Sequence, residues 1–158
     1  MDLVYRPVDL KRDLPVAISF RKDTHLISFG DTKQFDQAQL IRAFNAFQAD
    51  FPEFFLHIWF DDKIIGQLEF RSGLTSDKGE RYGYINLIYI AAEYRKLGFG
   101  QQVHDFMLTK MKNDGCAYAC LRYLPLNQTA ERFYLRNHWQ AEGQVTERGQ
   151  LMVKQLVS

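Results

Sequence analysis

The chain has 158 residues, 46% of them hydrophobic and 25% charged, and 20 Lys and Arg against 19 Asp and Glu leave a net charge of +1. That is ordinary usage for one globular domain, taken as residues 1–158, large enough to bury a core without a disulfide or metal staple. A near-neutral balance argues against a general nucleic-acid or polybasic membrane binder, and no apolar run approaches the roughly 20 residues of a membrane span. The first residues lack the basic-then-apolar layout of a secretory leader, so a cytoplasmic protein is expected. Cys116 and Cys120 make neither a disulfide framework nor a zinc ligand set; they fit two small buried thiols in a reducing compartment. The aromatic share of 15% suggests a thick core, an aromatic-lined pocket, or both.

In chain order, residues 3–8 form the first strand candidate, and Pro15 suits the first turn of a short helix after Asp13. Residues 32–50 are expected to be helical: Leu40, Phe44, Phe47 and Phe51 recur at four-three-four spacing, and Pro52 marks the end. Residues 54–60 and 63–71 read as a hairpin turning at Asp61-Asp62. Strict alternation in its second arm puts Ile64, Gly66, Leu68 and Phe70 on one face. It puts Ile65, Gln67, Glu69 and Arg71 on the other, which is solvated or lines a site. Residues 72–80 read as a loop. Residues 81–90 form a long strand with Tyr82, Tyr84, Asn86, Ile88 and Ile90 on one side.

A helix over 98–113 carries an apolar stripe of Phe99, Val103, Phe106, Met107 and Met111, with Gly115 as its stop. Residues 116–123 read as a strand, Asn127 caps a helix reaching about 137, and residues 150–157 form a last strand, with room for one more short strand after Trp139. The order β-α-α-β-β-β-α-β-α-β is a mixed α/β sheet with helices on its faces.

The stretch from Ile88 to Gln101 is a strand, a tight basic loop and a helix. Gly98 and Gly100 let a ligand approach the backbone, the first helical N–H groups are unpaired, and Arg95 and Lys96 add positive charge. Together these make a cradle for a diphosphate. The dinucleotide fingerprint fails because its third glycine position is Val103, and the Gly-Lys-Ser/Thr of an ATP loop is absent. A merely Gly-softened turn with two solvated cations is the plain alternative.

Arg95-Lys96-Leu97-Gly98-Phe99-Gly100 resembles the Arg/Gln-x-x-Gly-x-Gly/Ala loop of the GNAT superfamily of acyl-CoA-dependent N-acyltransferases, and Asn127-Gln128-Thr129-Ala130-Glu131-Arg132-Phe133-Tyr134 is similar to that family's Asn-x-x-Ala-x-x-Phe-Tyr segment. The pair, in this order with a strand between, is a specific match over roughly residues 54–139. Three departures stand out. Ala92 replaces a frequent Pro. His138 replaces the Gly before an aromatic, so that Asn137 is expected to take the left-handed cap. Tyr84 and Arg122 occupy the two positions where relatives carry a glutamate base.

The resemblance implies a mostly antiparallel sheet whose strands over 81–90 and 116–123 splay apart around acetyl-CoA. The cofactor would be held by Ile88, Tyr89 and Ile90, by Arg95, Lys96, Leu97, Gly98, Phe99, Gly100 and Gln101, and by Asn127. The Ile90 N–H would serve as oxyanion donor and Tyr134 as proton donor to the leaving thiolate, with no metal. A lysine-like amine costs roughly 4.6 kcal/mol to be neutral at pH 7, so a base is useful. Glu69 on the polar strand face is the chosen candidate, ahead of His57 and Tyr84. A solvated or salt-bridged Glu69 is the plain alternative, as is an amine that arrives in its minor neutral form with no base. His25, His104 and His138 are expected at the surface.

The implied activity is acetyl transfer from acetyl-CoA to a primary amine, on a small-molecule or peptide acceptor, with no nucleic acid or membrane partner. The absent carboxylates motivate the alternative of a non-catalytic acyl-CoA-binding or sensing module. Tyr82, Tyr84 and Trp59, the 72–80 loop and the two N-terminal helices are the expected shapers of the acceptor pocket. A homodimer, the commonest oligomer, is left open.

Overall fold

In the computed structural model, which describes residues 2–157, a seven-stranded sheet runs β1-β2-β3-β4-β5-β7-β6. Its strands are β1 (Val4–Pro7), β2 (Phe55–Phe60), β3 (Lys63–Thr75), β4 (Arg81–Ile90), β5 (Tyr118–Tyr123), β6 (Gln140–Thr146) and β7 (Gly149–Gln155). Every neighbouring pair is antiparallel except β4 and β5, which are parallel. Helices α3 (Phe99–Asn113) and α4 (Gln128–Arg136) cover one face, where Val103, Met107 and Met111 meet Ile58, Leu68, Phe70 and Leu121. Helices α1 (Leu10–Phe29) and α2 (Gln37–Asp50) cover the other, through Ala17, Phe20 and Phe44. The mixed α/β expectation holds, including the extra strand after Trp139, which is β6.

Helix α1 is longer than Pro15 suggested. Asp9 caps it by accepting from the N–H groups of Lys11 and Arg12, and Pro15 lies inside, with the backbone leaving helical geometry at Asp13 (φ −116°, ψ 18°). The break at Asp13 divides the element, and Pro15 lies in the first turn of the part that follows, as expected, but that part runs on to Phe29 and is not short. Asp36 caps α2 through the Gln39 N–H, so residues 32–35 are connection and not helix. The β2–β3 hairpin turns at Asp61 and Asp62 as expected. Both have positive φ (50° and 62°), which suits a tight two-residue turn.

Three register shifts interrupt β3 and β4, one of them between Arg71 and Leu74, and the other two overturn the strict alternation assumed for these strands. In β3, Ile58 pairs with Gly66 but Trp59 pairs with Ile64, which leaves Ile65 as the extra residue. Ile65 therefore joins the α3 side, and Ile64 packs on the α1 side. In β4, Leu87 pairs with Glu69 but Ile85 pairs with Phe70, so Asn86 is the extra residue. Beyond it the faces exchange: Leu87 and Tyr89 pack under α1, while Ile88 and Ile90 pack with the α3 core. A bulge adds a residue to one strand and flips the side-chain parity that follows.

The parallel pairing of β4 with β5 covers only Tyr82–Ile85 against Tyr118–Leu121. Past Ile85 and Leu121 both strands continue without pairing to each other, so a wedge opens between their C-terminal ends. On the other side of β4 the approach is very close: a Cβ on Gly66 would stand 2.3 Å from the Tyr89 carbonyl oxygen. Gly66→Ala should therefore destabilise the fold by about 2–3 kcal/mol, since backbone cannot yield as a side chain can. Urea unfolding checks this, and an unchanged midpoint would contradict it.

Candidate active site

The wedge opens onto a cavity of about 590 Å³, walled by β4, the end of β5, α4 and the connection from α1 to α2. Asn86, Ile88, Arg122, Asn127 and Tyr134 all line it. Asn127 does double service, since its carboxamide oxygen also caps α4 by accepting the Ala130 N–H at 3.2 Å. Tyr134 is buried, its ring edge-on to Phe133 and Trp139 at 5.4 and 5.5 Å. Burial raises its phenol far above the ordinary value, so it stays protonated across the physiological range.

The Ala91 N–H bonds the Ile65 carbonyl on the β3 side, at 2.7 Å. Antiparallel alternation then turns the N–H groups of Ile88 and Ile90 toward the wedge. The side chain of Tyr89 goes the other way, under α1, where its hydroxyl donates to Asp23. Its own N–H and carbonyl face β3 by the same alternation, the carbonyl lying against Gly66, so Tyr89 turns neither side chain nor backbone polar group to the wedge.

At the start of α3, Gly98 takes the left-handed conformation (φ 86°) and Lys96 does likewise (φ 63°). Gln102 makes the first helical hydrogen bond, to the Gly98 carbonyl at 3.3 Å. The N–H groups of Phe99, Gly100 and Gln101 precede it and have no helical carbonyl to reach. Apart from the chain neighbours and the helix's own backbone, no atom lies within 4 Å of where a Cβ on Gly98 or Gly100 would stand, so a ligand can approach the chain at both positions. Phe99 itself is core, against Phe60, and Leu97 is exposed. Gln101 is tied to Asp105 and Asn137.

Arg95 is turned away from the cradle: its Nε donates to the Ile90 carbonyl (2.7 Å) and its guanidinium pairs with Asp23 (3.1 Å). It clamps the loop to α1, and Lys96, also exposed, is the one of the two with no ion pair among the described residues.

Glu69 lies under α1, not in solvent. Arg21 binds both its oxygens, at 3.1 and 2.7 Å, and Gln67 donates to it at 3.0 Å. The chain of contacts continues inward, with Oε1 of Gln67 lying 2.9 Å from Nε2 of buried His57. Burial lowers the His57 pKa, more than the Gln67 contact raises it. Burial raises the pKa of Tyr84, against the pull of Arg122 and Arg148.

The histidines expected at the surface include two that are elsewhere. His104 is buried and accepts from the Trp139 indole N–H at 3.0 Å, while its Nδ1 meets Asp105 at 2.9 Å. An accepting Nε2 requires the neutral ring, and burial holds its pKa down. His25 lines the cavity, stacked on Phe29, and its Nε2 is buried without a partner. His138, and not Asn137, takes the left-handed cap before Trp139, with φ 68°.

Of the expected pocket shapers, Tyr84 is not on the cavity wall and only the N-terminal helices are. Tyr82 stacks on Tyr118, Trp59 lies under Arg6 and Arg12, and Ser76, Asp77, Lys78 and Glu80 line a separate groove with Tyr118. Sequence reasoning missed Asp36 and Arg148, which reach the cavity from a helix connection and a strand turn. No local pattern marks either one. Among the described residues no helix is long and apolar enough to cross a membrane, and no cluster of His, Cys, Asp and Glu could hold a metal ion.

The acetyltransferase (GNAT) family model matches residues 19–139. No curated protein matches the chain. Similar solved structures include an acetyltransferase from Thermus thermophilus, 15% identical with a TM-score of 0.79 over 98% of this chain and 97% of that one. The PaiA N-acetyltransferase from Thermoplasma acidophilum, in complex with coenzyme A, is 16% identical with a TM-score of 0.73 over 98% and 99%. YncA from Salmonella typhimurium, with its cofactor acetyl-CoA, is 13% identical with a TM-score of 0.69 over 100% and 96%.

Proposed function

The chain belongs to the acetyltransferase (GNAT) family, and from that premise we propose that it moves an acetyl group from acetyl-CoA to a primary amine by direct transfer. The observation that carries this reading is the wedge between β4 and β5, which opens onto a cavity walled by the Tyr134 phenol, together with the open start of α3 that follows β4 in the chain. The free N–H groups of Phe99, Gly100 and Gln101 would hold the diphosphate, with Lys96 adding charge. The backbone of Ile88 and Ile90 and the Asn127 side chain would hold the pantetheine arm. Bound there, acetyl-CoA supplies an activated acetyl thioester.

In this reading the Ile90 N–H donates to the thioester oxygen as negative charge gathers on it, and the Tyr134 hydroxyl gives its proton to the departing sulfur. Direct transfer is supported by the thiols. Both cysteines are buried, and burial pushes the Cys120 thiol up to about 11, so it is no nucleophile at neutral pH.

Glu69 enters the proposal as a proton acceptor reached through water, because both of its oxygens already accept from Arg21 and Gln67. Glu69→Gln should lower kcat by about a hundredfold at pH 7. Raising the pH toward 10 should recover most of that loss, because the acceptor amine then sheds its own proton. A loss that pH does not recover assigns Glu69 to holding Arg21 alone.

The whole reading is tested by mixing acetyl-CoA with a panel of amines at pH 6–9 and following free thiol. Tight coenzyme A binding with no thiol release from any amine would replace it with the sensing module, which the absence of a carboxylate at Tyr84 and Arg122 favours.

A further inference from the structure

The charges on the cavity wall do not balance. Arg21 is neutralised by Glu69. Arg122 and Arg148 have no carboxylate within ion-pair distance among the described residues. Asp36, which also lines the cavity, likewise has no cation among them, and one of its oxygens is spent on the Gln39 N–H. Two uncompensated guanidinium groups therefore stand against one carboxylate. Arg122 is only part-exposed, and its one hydrogen bond to protein is a long one, 3.4 Å from Nη1 to the Gly149 carbonyl. A part-buried guanidinium with most of its five donors idle calls for an anion. Both arginines act on the same neighbour, since each pulls down the pKa of the Tyr84 phenol. The α3 cradle cannot be the source of that anion, because none of residues 95–101 lines this cavity.

Resting on the transferase reading above, we infer that the acceptor is a small aminocarboxylate, its carboxylate held between Arg122 and Arg148 and its amine directed toward Tyr134. Guanidinium groups suit a carboxylate because they offer paired, parallel donors. The unpaired Asp36 supplies attraction for the ammonium end on approach. Phe29, Phe35, Leu40 and Leu124 on the same wall leave an apolar surface for a side chain. A diamine would bring two positive charges to a wall that already has a positive excess.

The test compares leucine and phenylalanine with their carboxamides and with 1,4-diaminobutane, reading thiol release from acetyl-CoA. Each amino acid should exceed its amide in kcat/KM by about tenfold or more, and the diamine should be the poorest. Arg122→Gln should bring the acid-to-amide ratio toward one, and Arg148→Gln should reduce it less. Coenzyme A affinity, measured by calorimetry, should stay within about twofold, as a carboxylate site predicts and a cofactor-phosphate site does not. Thiol release with equal rates for acids and amides overturns this inference and leaves the transferase reading standing. A fall in coenzyme A affinity on losing Arg122 overturns it as well, by assigning that residue to the cofactor. No thiol from any amine removes both.

Discussion

Gly100→Trp should abolish coenzyme A binding, with the dissociation constant rising by at least about a hundredfold and the melting temperature unchanged. The position allows a clean test because the space beside it is open: nothing lies within 4 Å of a Cβ placed there. Gly98 would be a poor choice, since its φ of 86° strains any side chain whether or not a ligand is present. At Gly100 a side chain meets solvent in the free protein and the diphosphate in the complex, so the fold and the binding come apart. Gly100→Ala serves as the control. It should keep or slightly raise stability, by up to about 1 kcal/mol, because alanine suits a helix better. Calorimetry reads the outcome. A tryptophan variant that binds with near-original affinity would mean that the free amides of α3 hold nothing.

Tyr134→Phe should lower kcat by about a hundredfold while leaving coenzyme A affinity within about twofold. Among the described residues no protein group hydrogen-bonds the Tyr134 hydroxyl, so its removal orphans no partner and the ring keeps its contacts with Phe133 and Trp139. The pH dependence follows from the sign of the shift. Burial raises the phenol's pKa, so the proton-bearing form that acts as an acid persists well above neutrality. The wild-type rate should therefore keep rising through pH 9 as the amine becomes neutral, with no alkaline fall due to Tyr134. A fall centred below pH 9, or an unchanged kcat in the phenylalanine variant, would remove the tyrosine from the proton path.

The features that sequence exposed best are local ones. The approachable backbone at Gly98 and Gly100, the Asn127 cap and the Asp61-Asp62 turn each depend on residues within one turn of the chain, where side-chain chemistry and backbone geometry are tied. The faces of β3 and β4 were misread because period-two counting cannot see a bulge, and Ile65 and Asn86 each add one residue. His104 was misplaced because the buried stripe of α3 is wider than its apolar residues. A histidine can enter that stripe when an indole donor 35 positions away is there to bond it. Glu69 was placed on the right strand, but its partner Arg21 is 48 residues distant and nothing in the chain forecasts that meeting. The acceptor wall was the least legible part, since Asp36, Arg122 and Arg148 come together only through the topology.

The sheet is joined across its middle by a seam only four residue pairs long, from Tyr82–Tyr118 to Ile85–Leu121. Beyond that seam the two halves have no ladder between them, although Arg122 and Tyr123 stay paired to Leu151 and Gln150 of β7. A peptide-like arm lying in the wedge would act as a splint, lending the exposed edge of β4 the hydrogen bonds that no strand supplies there. The donor's arrival would thus join the two halves of the sheet along a line that the polypeptide itself leaves open.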